Sequence, residues 1–266
     1  YQYAKAELPN PHSIAIGVHS LRAVSKIALQ EIIEFSKTEG IPLHLHIAEQ
    51  QKEVNDFYAL NKLRPVEWLY ENFNLNQNWC LVHATHLTDI ELKFVAKSGA
   101  VTCLCPTTEA NLGDGIFRLK DYLAYGGNFA IGSDSNISID PFEEIRWMEY
   151  AQRLIHEERN ISSFNNYGSG YYLFNKTLQG GALASGDSKV GFIREGAYAD
   201  LVTLSSENPS LIGHTNKTLL DAIIFSNHNV LIDRVMINGQ WVNADKSILE
   251  NYKEALFSVM DYKLIP

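Results

Sequence analysis

Short apolar segments alternate with amphipathic segments over residues 14–158 of this chain of 266 residues. The predicted strands are 14–18, 41–47, 79–82, 100–104 and 128–131. This alternation predicts βα units around a parallel sheet. A (β/α)8 barrel requires more strands than these, and an open arc of strands would leave unpaired edges. We therefore expect either an open sheet or the C-terminal part of a longer chain that forms a barrel.

Helix start and stop signals separate the predicted strands. Pro65 marks the first position of one helix, and Thr88-Asp89-Ile90-Glu91 is a capping box for another that stops at Gly99. Asp140 is placed as the N-cap of a long amphipathic helix that runs to about residue 158. These signals support the βα interpretation.

The pattern changes after about residue 190, where β-rich segments replace the alternation of strands and helices. Segments 196–204 and 235–242 read as strands, and Asn238-Gly239 is a hairpin signal. We expect residues 1–189 to form the barrel portion, 190–247 to form a small β-domain, and 248–266 to form a C-terminal helix.

The amino-acid composition limits the kinds of molecule that this chain is expected to bind. The net charge of −9 and the lack of Lys/Arg clusters argue against a nucleic-acid surface. No apolar stretch is long enough to cross a membrane. Cys80, Cys103 and Cys105 are an odd set within apolar segments, as expected of reduced thiols in the cytoplasm. The expected partner is a small-molecule substrate.

Three predicted strands end in residues typical of metal sites. Segment 43–49 carries His44, His46 and Glu49, the next strand is followed by His83, and Asp134 follows the last strand. Residues alternate faces along a strand, so His44 and His46 point the same way. The carboxyl ends of parallel strands lie at the same end of the sheet, so these side chains should lie close together. They predict a hydrolytic zinc site in which Glu49 transfers a proton. No His-x-His pair precedes them to complete the ligand set.

Each of these candidates also has a structural explanation. The two histidines of the first cluster could be hydrogen-bonded core residues. His83 and His86 lie on a turn from strand to loop, where they are not expected to bind one metal ion together. His83 is favoured as the functional residue of the two, and His86 as a structural one. Asp134 could be a helix N-cap, but no predicted helix starts there, whereas Asp140 fits that role.

Two further segments at strand ends are candidates for substrate binding. Residues 106–115 are a polar, Gly-rich stretch directly after a strand, and His19 and Arg22 follow the first strand. Loops at the carboxyl ends of barrel strands bind substrate, and arginine offers a planar fork for a carboxylate. The alternatives are that residues 106–115 form an ordinary surface loop and that Arg22 is a solvated residue in the first turn of the next helix.

Several of these segments together resemble one enzyme family. The segments are 18–24, 44–50, 105–115, 132–136 and 143–146. They are similar to the N-formimino-L-glutamate iminohydrolases (formimidoylglutamate deiminases), in the mononuclear-zinc deaminase branch of the amidohydrolase superfamily. Residues 199–202 resemble the β-domain that follows the barrel across that superfamily. The resemblance implies an α/β fold, a (β/α)8 TIM barrel represented by its later strands and followed by part of a small β-sandwich.

The resemblance also implies a division of roles. His46 and Asp134 would be zinc ligands, and Asp134 would take a proton from the attacking water. Glu49 would be the general acid/base, and His83 would orient the water and the developing tetrahedral centre. The family's first-strand His-x-His pair has no counterpart in this sequence. We therefore expect this portion alone to bind zinc weakly and to be inactive.

The implied reaction is the hydrolytic deimination of N-formimino-L-glutamate to N-formyl-L-glutamate and ammonia, a step of histidine degradation. His19 and Arg22 would contact the substrate, with Arg22 on a carboxylate. The alternatives are a related zinc deaminase acting on a purine, pyrimidine or guanidine substrate, and a non-catalytic fragment. A cytoplasmic location is expected, and a homodimer is left open.

Overall fold

The computed structural model describes residues 1–8, 12–226, 232–243 and 246–263. The chain divides into two compact units, one of Tyr1–Ala197 with Glu207–His228 and the other of Tyr198–Ser206 with Asn229–Pro266. The domain limits expected after residues 189 and 247 stay predictions. Positions 264–266 of the expected C-terminal helix lie outside the described residues.

The first unit contains a parallel sheet of five strands. The strands are β1 (Ile16–Ser20), β2 (Leu43–Ile47), β3 (Trp79–His83), β4 (Val101–Leu104) and β5 (Asn128–Ile131). Each strand pairs in parallel with the next one along the chain, in the order β1-β2-β3-β4-β5. All five strands were predicted, but β1 begins at Ile16 and includes His19, which was expected just after the strand. Because all five strands run in parallel, their carboxyl ends lie at the same end of the sheet.

Helices precede, connect and follow these strands. They are α1 (Gln2–Glu7), α2 (Lys26–Glu39), α3 (Gln51–Asn61), α4 (Pro65–Asn72), α5 (Asp89–Ser98), α6 (Pro106–Leu112), α7 (Leu119–Ala124), α8 (Pro141–His156), α9 (Ser169–Ser185) and α10 (Leu219–Phe225). The capping box at Thr88, the stop at Gly99 and the N-cap at Asp140 are confirmed. The sequence pattern predicts no element at α1, α3, α9 or α10.

The prediction that 106–115 is a loop is wrong, because its first part is helix α6. Pro106 occupies the first helical position, where a missing N–H is harmless. The side chain of Glu109 accepts the N–H of Cys105 at the N-terminus, and Gly113 ends the helix with a φ of 72°. These local caps outweigh the low helix propensity of the Thr, Asn and Gly residues in the segment.

Strand side chains alternate between two environments. Leu45 and Leu81 belong to a core that includes Val54, Val66 and Leu69 from the helices. Residues between them in sequence, such as His44 and Cys80, lie on the opposite face, as the alternation of strand side chains requires. One face of the sheet therefore packs on the helices of this core, and the other carries a smaller buried cluster in which Cys80 and Val101 pack with Ala184 of α9.

The second unit contains an antiparallel sheet of three strands, in the order β6-β7-β8. The strands are β6 (Leu201–Leu204), β7 (Ile232–Ile237) and β8 (Gln240–Val242). Asn238 and Gly239 join β7 to β8 with φ values of 47° and 78°, which confirms the predicted hairpin turn. Helix α11 (Lys246–Lys263) follows. Across the described residues, every helix is too short or too polar to traverse a lipid bilayer.

Candidate active site at the carboxyl ends of the strands

His46, His83 and Asp134 converge where β2, β3 and β5 end. One ligand atom from each lies within 4.8 Å of the other two, a spacing that would allow all three to contact one metal ion. His83 is the last residue of β3 and is paired with Ile47. Asp134 lies beyond the end of β5 with a φ of 52°. The structure thus brings together residues that are far apart in sequence.

His83 occupies the centre of the cluster and is almost fully buried. Its Nε2 lies 3.4 Å from Oδ2 of Asp134 and 3.7 Å from Oε1 of Glu49, and it has no hydrogen-bond partner. Its backbone φ is 67°, an unfavourable value for a non-glycine residue. A buried, unpaired imidazole nitrogen facing two carboxylates is suited to contact a metal or a reacting group.

His46 is oriented by the strand beside it. Its Nδ1 donates a hydrogen bond to the carbonyl oxygen of His19 at 2.7 Å, because a carbonyl can only accept. In the neutral ring, this arrangement makes Nε2 the nitrogen without a hydrogen, which can bind a metal. The ring centroid of His46 lies 5.6 Å from those of His19 and His83.

Asp134 and Glu49 face the cluster from two loops. Oδ1 of Asp134 accepts the N–H of Ser135 at 2.7 Å, and Oδ2 faces His83. Glu49 follows β2, and burial raises the pKa of its carboxyl, with Asp114 and Glu53 adding to the effect and His83 opposing it. A carboxyl that holds its proton at higher pH than usual is suited to acid/base chemistry.

The pKa of His83 is also raised. Burial alone would lower it, but the hydrogen bond to Glu109 and the charges of Glu109, Glu49 and Asp134 outweigh burial. The carboxylates on both sides of the ring stabilise its cationic form. His83 can therefore donate a hydrogen bond from Nε2 when that nitrogen is protonated.

His19 and Arg22, predicted to bind substrate, are placed differently. His19 lies within β1, hydrogen-bonded through Nδ1 to Oγ of Ser20 at 2.9 Å, with its ring beside His46. Arg22 is exposed in the turn after β1, and its backbone N–H donates to Oγ of Ser20. Within the described part of the chain, its guanidinium forms no ion pair.

The two other histidines near these strand ends, His44 and His86, are hydrogen-bonded to backbone carbonyl oxygens. Nε2 of His44 donates to the carbonyl oxygen of Ala184 at 2.8 Å, and Nε2 of His86 donates to that of Asp114 at 2.6 Å. His44 thus matches the alternative of a hydrogen-bonded core histidine. His86 is kept apart from the metal-binding group that includes His83.

Sequence reasoning missed two buried carboxylates beside the cluster. Oε1 of Glu109 lies 3.3 Å from Nδ1 of His83, and Glu53 accepts the backbone N–H groups of Ala48 and Glu49. A buried glutamate within a helix has no distinctive sequence pattern, because its role depends on tertiary contacts. For Glu109, the preceding Pro106 was the available signal that the segment is helical.

The fold and this cluster define the class of protein: a TIM-barrel α/β protein with histidines and an aspartate at the carboxyl ends of its strands. The chain belongs to the amidohydrolase family, whose sequence model matches residues 5–242. It is 43% identical over 235 residues to formimidoylglutamate deiminase of Pseudomonas aeruginosa, covering 88% of this chain and 51% of that protein. It is 27% identical over 240 residues to 5-methylthioadenosine/S-adenosylhomocysteine deaminase of Shouchella clausii, covering 89% and 54%.

Solved structures confirm the fold. An amidohydrolase from Brucella melitensis has a TM-score of 0.86 and 38% identity, covering 92% of this chain and 55% of that one. An adenosine deaminase from Xanthomonas campestris, solved with bound zinc, has a TM-score of 0.84 and 22% identity, covering 97% and 60%. The TIM-barrel class predicted from the sequence is confirmed. The chain spans about half the length of the curated relatives that it matches.

Proposed function

We propose that the full-length protein is a zinc-dependent hydrolase that converts N-formimino-L-glutamate to N-formyl-L-glutamate and ammonia. The observation that carries this proposal is the unpaired Nε2 of His83, which faces Glu49 and Asp134 beside His46. The 43% identity to a formimidoylglutamate deiminase supports the choice of substrate. A role in histidine degradation follows from that substrate, and the free thiols of the chain support a cytoplasmic location.

The residues of the cluster fit a zinc ion. The proposed ligands are Nε2 of His46 and the carboxylate of Asp134, both ligand types that zinc prefers. When bound, zinc lowers the pKa of water and so supplies hydroxide at neutral pH. The hydrogen bond from His46 to the carbonyl of His19 keeps Nε2 directed at the site.

The chain's own side chains move the protons. Asp134 accepts a proton as water attacks the formimino carbon, and Glu49 delivers a proton to the departing nitrogen. The carbon–nitrogen bond then breaks, and ammonia leaves. His83 stabilises the tetrahedral centre by hydrogen bonding through Nε2. His19 and Arg22 hold the glutamate portion, with Arg22 on a carboxylate.

A second candidate is a related deaminase that acts on a purine nucleoside, favoured by the 27% identity to a 5-methylthioadenosine/S-adenosylhomocysteine deaminase. Ammonia release by the full-length, zinc-loaded protein distinguishes the two. We expect release from N-formimino-L-glutamate and none from 5-methylthioadenosine. The opposite preference would support the second candidate, and no release from either would support a non-catalytic protein.

The variant Arg22→Ala tests the carboxylate contact. Loss of a hydrogen bond to a charged group corresponds to about 1.5–3 kcal/mol, so KM for N-formimino-L-glutamate should rise by about one to two powers of ten. An unchanged KM would remove Arg22 from the substrate site.

A further inference from the structure

Glu109 is a buried carboxylate whose role in the site is not explained by the proposed reaction. It is 4% exposed, and its Oε1 lies 3.3 Å from Nδ1 of His83 and accepts the backbone N–H of Cys105 at 2.9 Å. Among the described residues, no lysine or arginine forms an ion pair with it. Its charge is therefore compensated mainly by the imidazole of His83.

Helix α6, which carries Glu109, is held firmly by its neighbours. The backbone N–H of Thr107 donates to Oε2 of Glu144 at 3.0 Å, and its hydroxyl donates to Oε1 of the same carboxylate. Oγ1 of Thr108 donates to the carbonyl oxygen of Ser133 at 2.9 Å, one residue before Asp134. These bonds tie α6 to α8 and to the loop after β5. Glu109 is thus fixed relative to both His83 and Asp134.

A carboxylate at this position dictates which nitrogen of His83 carries a hydrogen. An ionised carboxylate can only accept, so the nitrogen facing Glu109 must be protonated. Nδ1 therefore carries a hydrogen in both the neutral and the cationic ring. Nε2, which faces Glu49 and Asp134, is left as the nitrogen that exchanges hydrogen bonds with water or substrate.

We propose that Glu109 is a positioning residue that fixes the ring orientation and tautomer of His83 by accepting its Nδ1–H. This inference rests on the proposed function in so far as His83 acts on the reacting groups. Glutamine at this position could present either an oxygen or an NH2 group to Nδ1. The Glu109→Gln substitution would therefore allow the wrong tautomer without removing side-chain volume.

Steady-state kinetics of the full-length, zinc-loaded protein test the proposal. Glu109→Gln should lower kcat by about 10–100-fold, the size of effect known for partners that orient metal-binding histidines, with KM nearly unchanged. The double variant His83→Ala/Glu109→Gln should be no slower than His83→Ala, because Glu109 acts through that ring. If the double variant were instead slowed by the product of the two single-variant factors, the proposal would be overturned.

Glu149→Gln is the matched control. Glu149 is fully buried and bonded to Arg153 and Ser169, away from the cluster. Its substitution should reduce stability through a lost ion pair but leave kcat close to that of the parent protein. A comparable loss of kcat in Glu149→Gln would show that the effect of Glu109→Gln reflects general damage to the fold.

A measurement without substrate separates this proposal from the proposed function. In nitrogen NMR spectra of protein labelled at histidine, His83 should show a protonated Nδ1, assigned by its absence in His83→Ala. That signal should shift toward the unprotonated form in Glu109→Ala. An unprotonated Nδ1 in the parent protein, or a signal unaffected by Glu109→Ala, would overturn the assignment. Absence of turnover with a protonated Nδ1 would instead count against the proposed function.

Discussion

The carboxylate of Glu53 accepts a hydrogen bond from the backbone N–H of Glu49 at 3.0 Å. It also accepts the N–H of Ala48 at 3.3 Å, where the chain has a φ of 51°. Glu53 is buried in the first turn of α3. The turn that aims Glu49 at His83 is therefore held in part by the start of the next helix. A second hydrogen bond, from the N–H of His86 to the carbonyl oxygen of Ala48 at 3.0 Å, holds its other side.

Glu53→Ala should consequently impair both the site and the fold. It leaves the buried N–H of Ala48 and the partly buried N–H of Glu49 without this acceptor, so we expect a loss of about 1–3 kcal/mol in the free energy of unfolding. Release of the turn should also lower kcat by about tenfold. Urea denaturation and the rate of ammonia release measure the two effects.

Asp56→Ala is the control, because Asp56 lies on the same helix in an exposed pair with Lys52. Exposed pairs of this kind contribute only about 0.3–0.5 kcal/mol. If Glu53→Ala were as mild as Asp56→Ala, the turn would hold its shape without the carboxylate.

Glu49→Gln should separate proton transfer from metal binding. The amide cannot deliver a proton, so kcat should fall by about 10²–10⁴-fold in the full-length protein. Zinc content, measured by elemental analysis, should stay unchanged because Glu49 is not a proposed ligand. His46→Ala should instead lose zinc. Zinc loss in Glu49→Gln would indicate that Glu49 binds the metal.

The positions of His46, His83 and Asp134 could be predicted because local signals carry them. Each follows or ends a short apolar segment, and sequential parallel strands bring their carboxyl ends to one edge. Strand periodicity also places His44 on the same face, but it cannot tell a ligand from a residue that is hydrogen-bonded to Ala184. That distinction depends on helix α9, which the sequence pattern does not predict.

Glu53 and Glu109 could not be predicted, for a different physical reason. Both are buried acids in helices, where sequence patterns favour an exposed position for such residues. Their burial is stabilised by backbone N–H groups and by His83, which are contacts that exist only after folding. The polar composition of α6 also suggested a loop. The caps at Pro106 and Gly113 were the local evidence for a helix.

Stability should depend on pH through Glu144. Burial raises the pKa of this carboxyl above the ordinary value of about 4.3, although its hydrogen bonds with Thr107 lower it in part. Between the unfolded and folded pKa values, the folded protein binds more protons. The stability that this group contributes is therefore present below about pH 4 and is lost as pH rises through the folded pKa.

Glu144→Gln removes this titration. The free energy of unfolding of the parent protein, minus that of the variant, should fall as pH rises from about 4 to about 7. Urea denaturation at several pH values measures the difference, which includes the opposing pH dependence of the hydrogen bonds from Thr107. A difference that rises with pH would mean that the hydrogen bonds with Thr107 outweigh burial.

Gly180 and its neighbour Gly181 should respond oppositely to alanine. A β-carbon at Gly180 would lie 1.7 Å from the carbonyl oxygen of Phe129 in β5, whereas one at Gly181 has no atom within 4 Å. Gly180→Ala must push α9 off the sheet, with an expected loss of about 3 kcal/mol or more in the free energy of unfolding. Gly181→Ala should gain about 0.5–1 kcal/mol, since alanine is favoured within a helix. Equal effects in urea denaturation would show that α9 can move away from Phe129 at little cost, so that close packing would not be the reason for glycine at position 180.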